Sequence, residues 1–111
     1  MGEFTDEMMQ KELASVRPYS VVILRAGPRF RDADAATLIW EHGRRNFGLR
    51  QTGELAIVLP APDDSDFCGV AVFTGSIAET VAIMNDDPGV LAGVFVYEVR
   101  PCVGFPGDAL P

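Results

Sequence analysis

Two short segments of this chain, VVIL (21–24) and VAVF (70–73), are apolar at every position and so do not alternate between an apolar and a polar face. Continuous apolar runs of this kind are typical of interior strands that are covered on both sides of a sheet. The chain must therefore build a sheet and then bury both of its faces. With 111 residues it is long enough for one domain with one core.

Helix and strand signals alternate around these two segments. Strands are predicted at 19–27, 54–62, 67–75 and 93–100, and helices at 34–53 and 76–87. We expect Asp34 to cap the first helix and Gly53 to end it. Ser76 and Glu79 have the spacing of a capping box at the start of the second helix, and Pro88 is expected to end that helix.

The predicted order, β-α-β-β-α-β, is that of a ferredoxin-like α+β fold, a four-stranded antiparallel sheet with two helices on one face. Two helices leave the other face uncovered, so it must be buried by the N-terminal segment or by a second copy of the sheet. We expect the second copy, which predicts a homodimer packed through the sheet face.

The two ends of the chain lie outside this pattern. Residues 1–18 are charged, with a weak apolar stripe, and are predicted to be an N-terminal extension with one short helix packed on the domain. The domain itself is expected to span 19–101. The proline-rich residues 102–111 are interpreted as an irregular C-terminal tail.

Charge and composition exclude several classes of function. The net charge is −7, and the one basic cluster is Arg44, Arg45 and Arg50, which predicts no nucleic-acid partner. The chain has no apolar run of about 18 residues and no signal-peptide core, which predicts a cytoplasmic protein with no membrane partner. Cys68 and Cys102 lack metal or redox spacing, so we expect free thiols and neither a cofactor nor a metal.

The only histidine, His42, lies on the apolar side of the first predicted helix. At 100° per residue, His42 and Asn46 fall within an apolar arc of about 200°, so both point toward the sheet. Trp40 and Phe47 share this arc and are expected in the core or at an interface. A buried imidazole needs a hydrogen-bond partner, and a backbone carbonyl would be the simplest one.

A second polar group stands at the end of the second predicted helix, in the sequence NDDP (85–88). Asn and Asp before Pro are common turn residues, which is the simplest explanation for them. A carboxylate at a helix C-terminus is unfavourable, however, which hints at another role. Because the two helices share one face of the sheet, Asp87 is able to approach His42.

From YSVVILRAGP to YEVRP the chain resembles the YCII (YciI-like) family of dimeric ferredoxin-like α+β barrel proteins. The similar pieces are the first-helix histidine His42, the TGEL passage (52–55) and the stretch NDDPGVLAGVFVYEVRP (85–101). The resemblance implies a catalytic His42–Asp87 pair acting on a small-molecule substrate in a homodimer. Around this pair, Arg45, Asn46 and Tyr97 are the candidate substrate-binding residues.

A histidine with a reference pKa of about 6.5 can accept and return a proton at neutral pH, and a bonded carboxylate fixes its tautomer. The sequence therefore predicts a cofactor-free acid–base enzyme of lyase, isomerase or dehydrohalogenase type, acting on a small organic acid. A non-catalytic small-ligand binding or interaction module on the same scaffold is the alternative. Cofactor-independent oxygenation is a third possibility.

Overall fold

The computed structural model describes residues 2–63 and 65–111, which form four helices and one four-stranded sheet. The helices are α1 (Asp6–Leu13), α2 (Ala35–Thr52), α3 (Ile77–Asn85) and α4 (Pro88–Leu91). The strands are β1 (Arg17–Ala26), β2 (Leu55–Pro60), β3 (Phe67–Phe73) and β4 (Phe95–Gly104). None of these helices combines the length and the apolar character that a bilayer span requires.

The strand order of the sheet is β2-β3-β1-β4, and each neighbouring pair is antiparallel. This is the ferredoxin-like α+β arrangement predicted from the sequence. The two uniformly apolar runs lie in the central strands β1 and β3, which pair with each other so that Val22 is opposite Ala71. Their predicted place in the interior of the sheet is confirmed.

The core lies on the helix-covered face of the sheet. Alternate residues of β1 (Ser20, Val22 and Leu24) are buried there, as the two-residue period of a strand requires. From α3, Thr80 and Met84 are buried against the same face. The buried apolar cluster consists of Val22, Leu24, Ala35, Leu55, Phe73, Met84, Val94 and Phe95.

The opposite face of the sheet is not fully buried within one chain. Its positions in β1 and β3, among them Val21, Ile23, Val70 and Val72, are only half-buried. The predicted N-terminal helix exists as α1, but its expected packing on the domain is wrong, because every residue of α1 is exposed. Burial of both faces therefore requires something beyond the described residues of a single chain.

Several boundaries differ from the predicted ones. The last strand runs on to Gly104, into the part interpreted as an irregular tail, because it pairs with β1 as far back as Arg17. Asp34 occupies the N-cap position of α2, but its carboxylate makes no cap bond and faces Arg29 at 3.4 Å. Trp40 and Phe47 do not belong to the core, since 69% and 58% of their surfaces are exposed.

The short helix α4 was not predicted. Pro88 does end the preceding helix, but it also occupies the first turn of α4, where its missing N–H costs nothing. Gly89 follows and is packed so tightly that an added Cβ would lie 2.6 Å from Cδ2 of Phe95. Only glycine leaves room for the Phe95 ring at this point.

We therefore expect Gly89→Ala to lower the free energy of unfolding by about 1–3 kcal/mol, because the added methyl overpacks a rigid site. Denaturant unfolding measures this change. Gly48→Ala is the matched control: it lies within α2 with nothing within 4 Å of an added Cβ, so it should stabilise by up to about 1 kcal/mol. Equal effects of the two substitutions would contradict the proposed crowding.

Candidate active site

His42 lies at the centre of the α2 surface that packs on the sheet. It is 9% exposed and, with Ala35, is one of the two buried residues of α2. Its ring lies 4.6 Å from the ring centroid of Phe95 at an interplanar angle of 49°. The helical period thus turns this imidazole inward, as the sequence predicted.

Asp87 is held where one helix ends and the next begins. It is the N-cap residue of α4 and is 1% exposed. Its Oδ2 accepts hydrogen bonds from the backbone N–H groups of Gly89 (2.9 Å) and Val90 (3.2 Å). The carboxylate therefore lies at the favourable N-terminal end of a helix, and not at the unfavourable C-terminal end that the sequence suggested.

The two side chains are in direct contact. Nδ1 of His42 and Oδ1 of Asp87 are 2.8 Å apart. An ionised carboxylate only accepts, so Nδ1–H donates to it, and Nε2 of the neutral ring is left with its lone pair. The side-chain Nδ2 of Asn46 lies 3.2 Å from Nε2 and donates to that lone pair.

The carboxyl group of Asp87 is biased toward its charged form. Burial by itself raises the pKa of Asp87, but the hydrogen bond from His42, the positive charge that His42 carries when it is protonated, and the backbone N–H groups of Val90 and Gly89 outweigh it. The net result is a pKa below the usual value. Asp87 is therefore an ionised carboxylate that holds the imidazole in place through its hydrogen bond to Nδ1.

The three candidate substrate-binding residues, Arg45, Asn46 and Tyr97, differ in their distance from the cavity. Nη1 of Arg45 lies 3.7 Å from Oδ1 of Asp87, so this guanidinium faces the carboxylate. The hydroxyl of Tyr97 donates to Oδ1 of Asn85 at 2.6 Å, and burial raises its pKa. Neither Arg45 nor Tyr97 lines the cavity beside His42, whereas Asn46 does.

A cavity of about 290 Å³ lies beside the imidazole, between α2 and the β2–β3 half of the sheet. Its wall is mostly apolar, and its polar contributors include His42, Asn46, Asp63, Ser65 and Cys68. No lysine or arginine is among the described residues that line it. Its larger apolar contributors include Phe30, Ile39, Phe47, Phe67, Phe73 and Phe95.

Most residues that line this cavity were not predicted from the sequence. Phe30 comes from the loop before α2, and Phe67 and Cys68 come from the start of β3. These residues are far apart in sequence and meet only because β1, β3 and α2 pack together. Phe95 lies within the stretch NDDPGVLAGVFVYEVRP (85–101), so its nearness to Asp87 was the one signal for this wall in the sequence.

The described residues contain no cluster of three or more His, Cys, Asp or Glu side chains suited to a metal ion. Cys68 and Cys102 are free thiols, half-buried and exposed respectively. Burial, together with the nearby acidic groups Asp66 and Asp63, raises the pKa of the Cys68 thiol. This thiol is thus held in its protonated form at the cavity wall.

Comparison with protein families and with curated proteins gave no match. Among solved structures, 5-chloro-2-hydroxyhydroquinone dehydrochlorinase (TftG) from Burkholderia phenoliruptrix AC1100, in complex with 2,5-dihydroxybenzoquinone, is 18% identical at a TM-score of 0.47, covering 73% of this chain and 90% of that one. The methylated RPA0582 protein is 19% identical at a TM-score of 0.36, and the match covers 94% of this chain and 95% of that protein. These similarities are distant and carry no information about activity.

Because the pKa of Asp87 is lowered in the folded state, the free energy of unfolding depends on pH in the acidic range. The stabilisation from the ionised carboxylate is complete above the unfolded-state value, about 3.9, and is lost as the pH falls through the lower folded-state value. We expect Asp87→Asn to lower the free energy of unfolding by about 1–3 kcal/mol at pH 6 and by much less below pH 3. Urea unfolding across this range measures the difference.

The neighbouring residue provides the control. Asp86 is exposed and has no hydrogen bond to His42, so Asp86→Asn should keep the wild-type dependence on pH. A difference between wild type and Asp87→Asn that stays constant from pH 6 to pH 3 would show that the charge of Asp87 does not matter.

Proposed function

We propose that this chain is a proton-transfer enzyme in which His42 is the general base and Asp87 holds and supports its ring. The observation that carries the proposal is a buried, hydrogen-bonded His–Asp pair whose imidazole lines an apolar cavity. We also propose that the chain is a distant relative of the YCII family. The position of His42 on the first domain helix and of Asp87 before Pro88 supports this relationship.

The geometry suggests one chemical step. Nε2 of His42 takes a proton from a carbon next to a carbonyl group, and the C–H electron pair moves to the carbonyl oxygen as an enolate forms. The imidazolium that results is stabilised by the carboxylate of Asp87. If a conjugated double bond extends the enolate, the proton returns to the far carbon in an isomerisation; if the carbon next to the deprotonated one carries a leaving group, the electron pair forms a C=C bond and expels that group in an elimination.

The cavity wall favours an uncharged substrate over the small organic acid expected from the sequence. An anion that enters an apolar cavity loses its hydration, and here no described lysine or arginine in the wall replaces it. Arg45, the cation nearest the pair, faces Asp87. We therefore propose a small, neutral, mostly apolar carbonyl compound.

A binding module without catalysis is the second candidate, and one contact favours it. The amide of Asn46 already donates to Nε2 of His42, the atom that a base must use. In the catalytic proposal the substrate has to displace this amide. In the binding proposal the amide stays, and His42 serves only as part of the wall.

We also propose that the protein is a cytoplasmic homodimer that packs through the outer face of the sheet. Half-buried Val21 and Ile23 on β1 and Val70 and Val72 on β3 form an apolar surface there. Contiguous apolar patches on a domain surface mark interaction sites. A second copy of the same sheet would cover this patch with matching shape and chemistry.

Catalysis can be tested with 2-tetralone, an uncharged bicyclic ketone, by following exchange of its α-hydrogens with D₂O by proton NMR. We expect wild type to accelerate exchange by roughly 100-fold or more over His42→Gln, the range typical of a positioned base. Asp87→Asn should fall between the two, and Asp86→Asn should match wild type. The anionic 2-naphthoate should leave the single imidazole NMR signal unperturbed.

Two other results are informative. If 2-tetralone shifts the imidazole signal but exchange is no faster than with His42→Gln, the binding module is correct. If neither binding nor exchange is found for 2-tetralone and a set of neutral ring ketones, the cavity does not serve the proposed chemistry.

The dimer is tested by sedimentation of surface variants. We expect Ile23→Lys to weaken association through the sheet face and so to lower the sedimentation coefficient, because it places a charge in the centre of the proposed interface. Val103→Lys is the control: it is 67% exposed, and its pairing opposite Pro18 puts it on the other side of the sheet. A wild-type protein that sediments as a monomer at micromolar concentration would rule out the sheet-face dimer.

A further inference from the structure

The N-terminal arm, defined here as residues 2–16, extends away from the rest of the chain. Residues 2–15 are all exposed, and α1 has no buried residue. The radius of gyration is 16.5 Å, above the value of about 13 Å expected for a compact domain of this length. The longest dimension, 55 Å, is nearly twice the next, 29 Å.

The arm is nevertheless a well-formed amphipathic helix. Thr5 caps it by accepting a hydrogen bond from the N–H of Met8. Met9 and Leu13 lie four residues apart on one side of the helix, and both are about half exposed. At 100° per residue, Asp6 and Glu12 flank this stripe on its two sides, so it is an apolar stripe between acidic edges.

A second exposed apolar stripe lies on α2, next to the surface that packs on the sheet, and two of its members, Gly43 and Phe47, also line the cavity beside His42. Ala36, Trp40, Gly43 and Phe47 follow one another at spacings of four, three and four residues, the pattern of a helix-pairing seam. Together with Ile39 they line a shallow groove of about 400 Å³. Trp40 and Phe47 are among the most exposed large apolar residues of the chain.

The edges of the α2 stripe are basic. Arg44 lines the groove on one side, where its Nε also lies 3.4 Å from Oε2 of Glu41, and Arg50 stands on the other side with its guanidinium carbon 4.8 Å from the Phe47 ring centroid. The arm thus offers an apolar stripe with acidic edges, and α2 offers an apolar stripe with basic edges. Complementary charges around apolar seams select helix partners and fix their orientation.

We propose that the arm of one copy docks in the α2 groove of a second copy. The arm does not reach the groove of its own chain in this structure, because the link to β1 is a short, hydrogen-bonded turn. The N–H of Ala14 donates to Gln10 O, and the N–H and hydroxyl of Ser15 donate to Glu12 O. These bonds fix the direction of α1, and reciprocal exchange between two copies buries both stripes.

Trp40 is the only tryptophan of the chain and lies in the groove, so it reports directly on docking. The reporter is the full chain with Leu13→Asp, which disables its own arm. The donor is the full chain with Trp40→Phe, which is silent in tryptophan fluorescence. Titrating donor into reporter should shift the Trp40 emission to the blue, saturably, and reduce its quenching by acrylamide severalfold.

Two donor controls make the result specific. A donor that also carries Leu13→Asp should have no effect, whereas one that also carries Gln10→Asp should act like the original donor, because Gln10 lies outside the stripe. Raising the salt concentration should weaken docking, since the paired edges are exposed charges. Because Leu13 and Trp40 are both exposed, these substitutions leave the core intact.

Two outcomes would overturn the proposal. In the first, the donor has no effect on the reporter, and the Trp40 emission of wild type equals that of Leu13→Asp at every concentration. In the second, wild type differs from Leu13→Asp at every concentration while the donor still has no effect. The arm would then occupy the groove of its own chain.

Discussion

The organisation of the site depends on the carboxylate of Asp87. Its two oxygens have separate tasks, since Oδ2 accepts from the first N–H groups of α4 and Oδ1 accepts from Nδ1 of His42. One residue therefore starts a helix, satisfies a buried imidazole and fixes which ring nitrogen faces the cavity. Such a buried polar group is stable only when all its hydrogen bonds are made, and no buried side-chain N or O atom among the described residues lacks a partner.

The pair also links the stability of the fold to the geometry of the candidate site. The energy that holds Asp87 ionised in the interior comes from the same contacts that orient His42, so a change that disturbs one disturbs the other. Gly89 shows how closely this is packed, because it lies against both the Phe95 ring and Oδ2 of Asp87. The ring of Phe95 in turn contacts the imidazole. Helix start, aromatic wall and imidazole are thus joined by direct contacts, which is the kind of support that the proposed base would need.

Several apolar surfaces of the chain are not covered within a single copy. A domain of 111 residues buries a limited share of its apolar area, and here three apolar surfaces stay open: the outer face of the sheet, the α2 stripe and the arm. The arm and the α2 stripe carry opposite charges along their edges, while the outer sheet face itself carries the Arg25–Glu98–Arg100 ion pairs, with Glu98 opposite Ile23 and Arg100 opposite Val21. These surfaces are therefore chemically distinct and suit different contacts.

The sequence by itself determined the strand and helix order, the central position of VVIL and VAVF, and the inward direction of His42. These follow from local periodicity and capping, which depend on residues a few positions apart. It did not determine that Asp87 begins α4, because the same NDDP pattern suits a simple turn. Nor did it distinguish the part of the α2 apolar arc that packs on the sheet from the part at Trp40 and Phe47 that faces solvent.

Only the tertiary structure decided which distant residues meet. The 2.8 Å contact between His42 and Asp87 joins positions 45 residues apart, and the cavity wall combines segments from β1, β2, β3 and α2. Arg45 and Tyr97 had the same standing as Asn46 in the sequence, yet only Asn46 reaches the cavity. The physical reason is that periodicity gives the direction of a side chain from its own helix or strand. What stands opposite is set by how the helices and the sheet pack together.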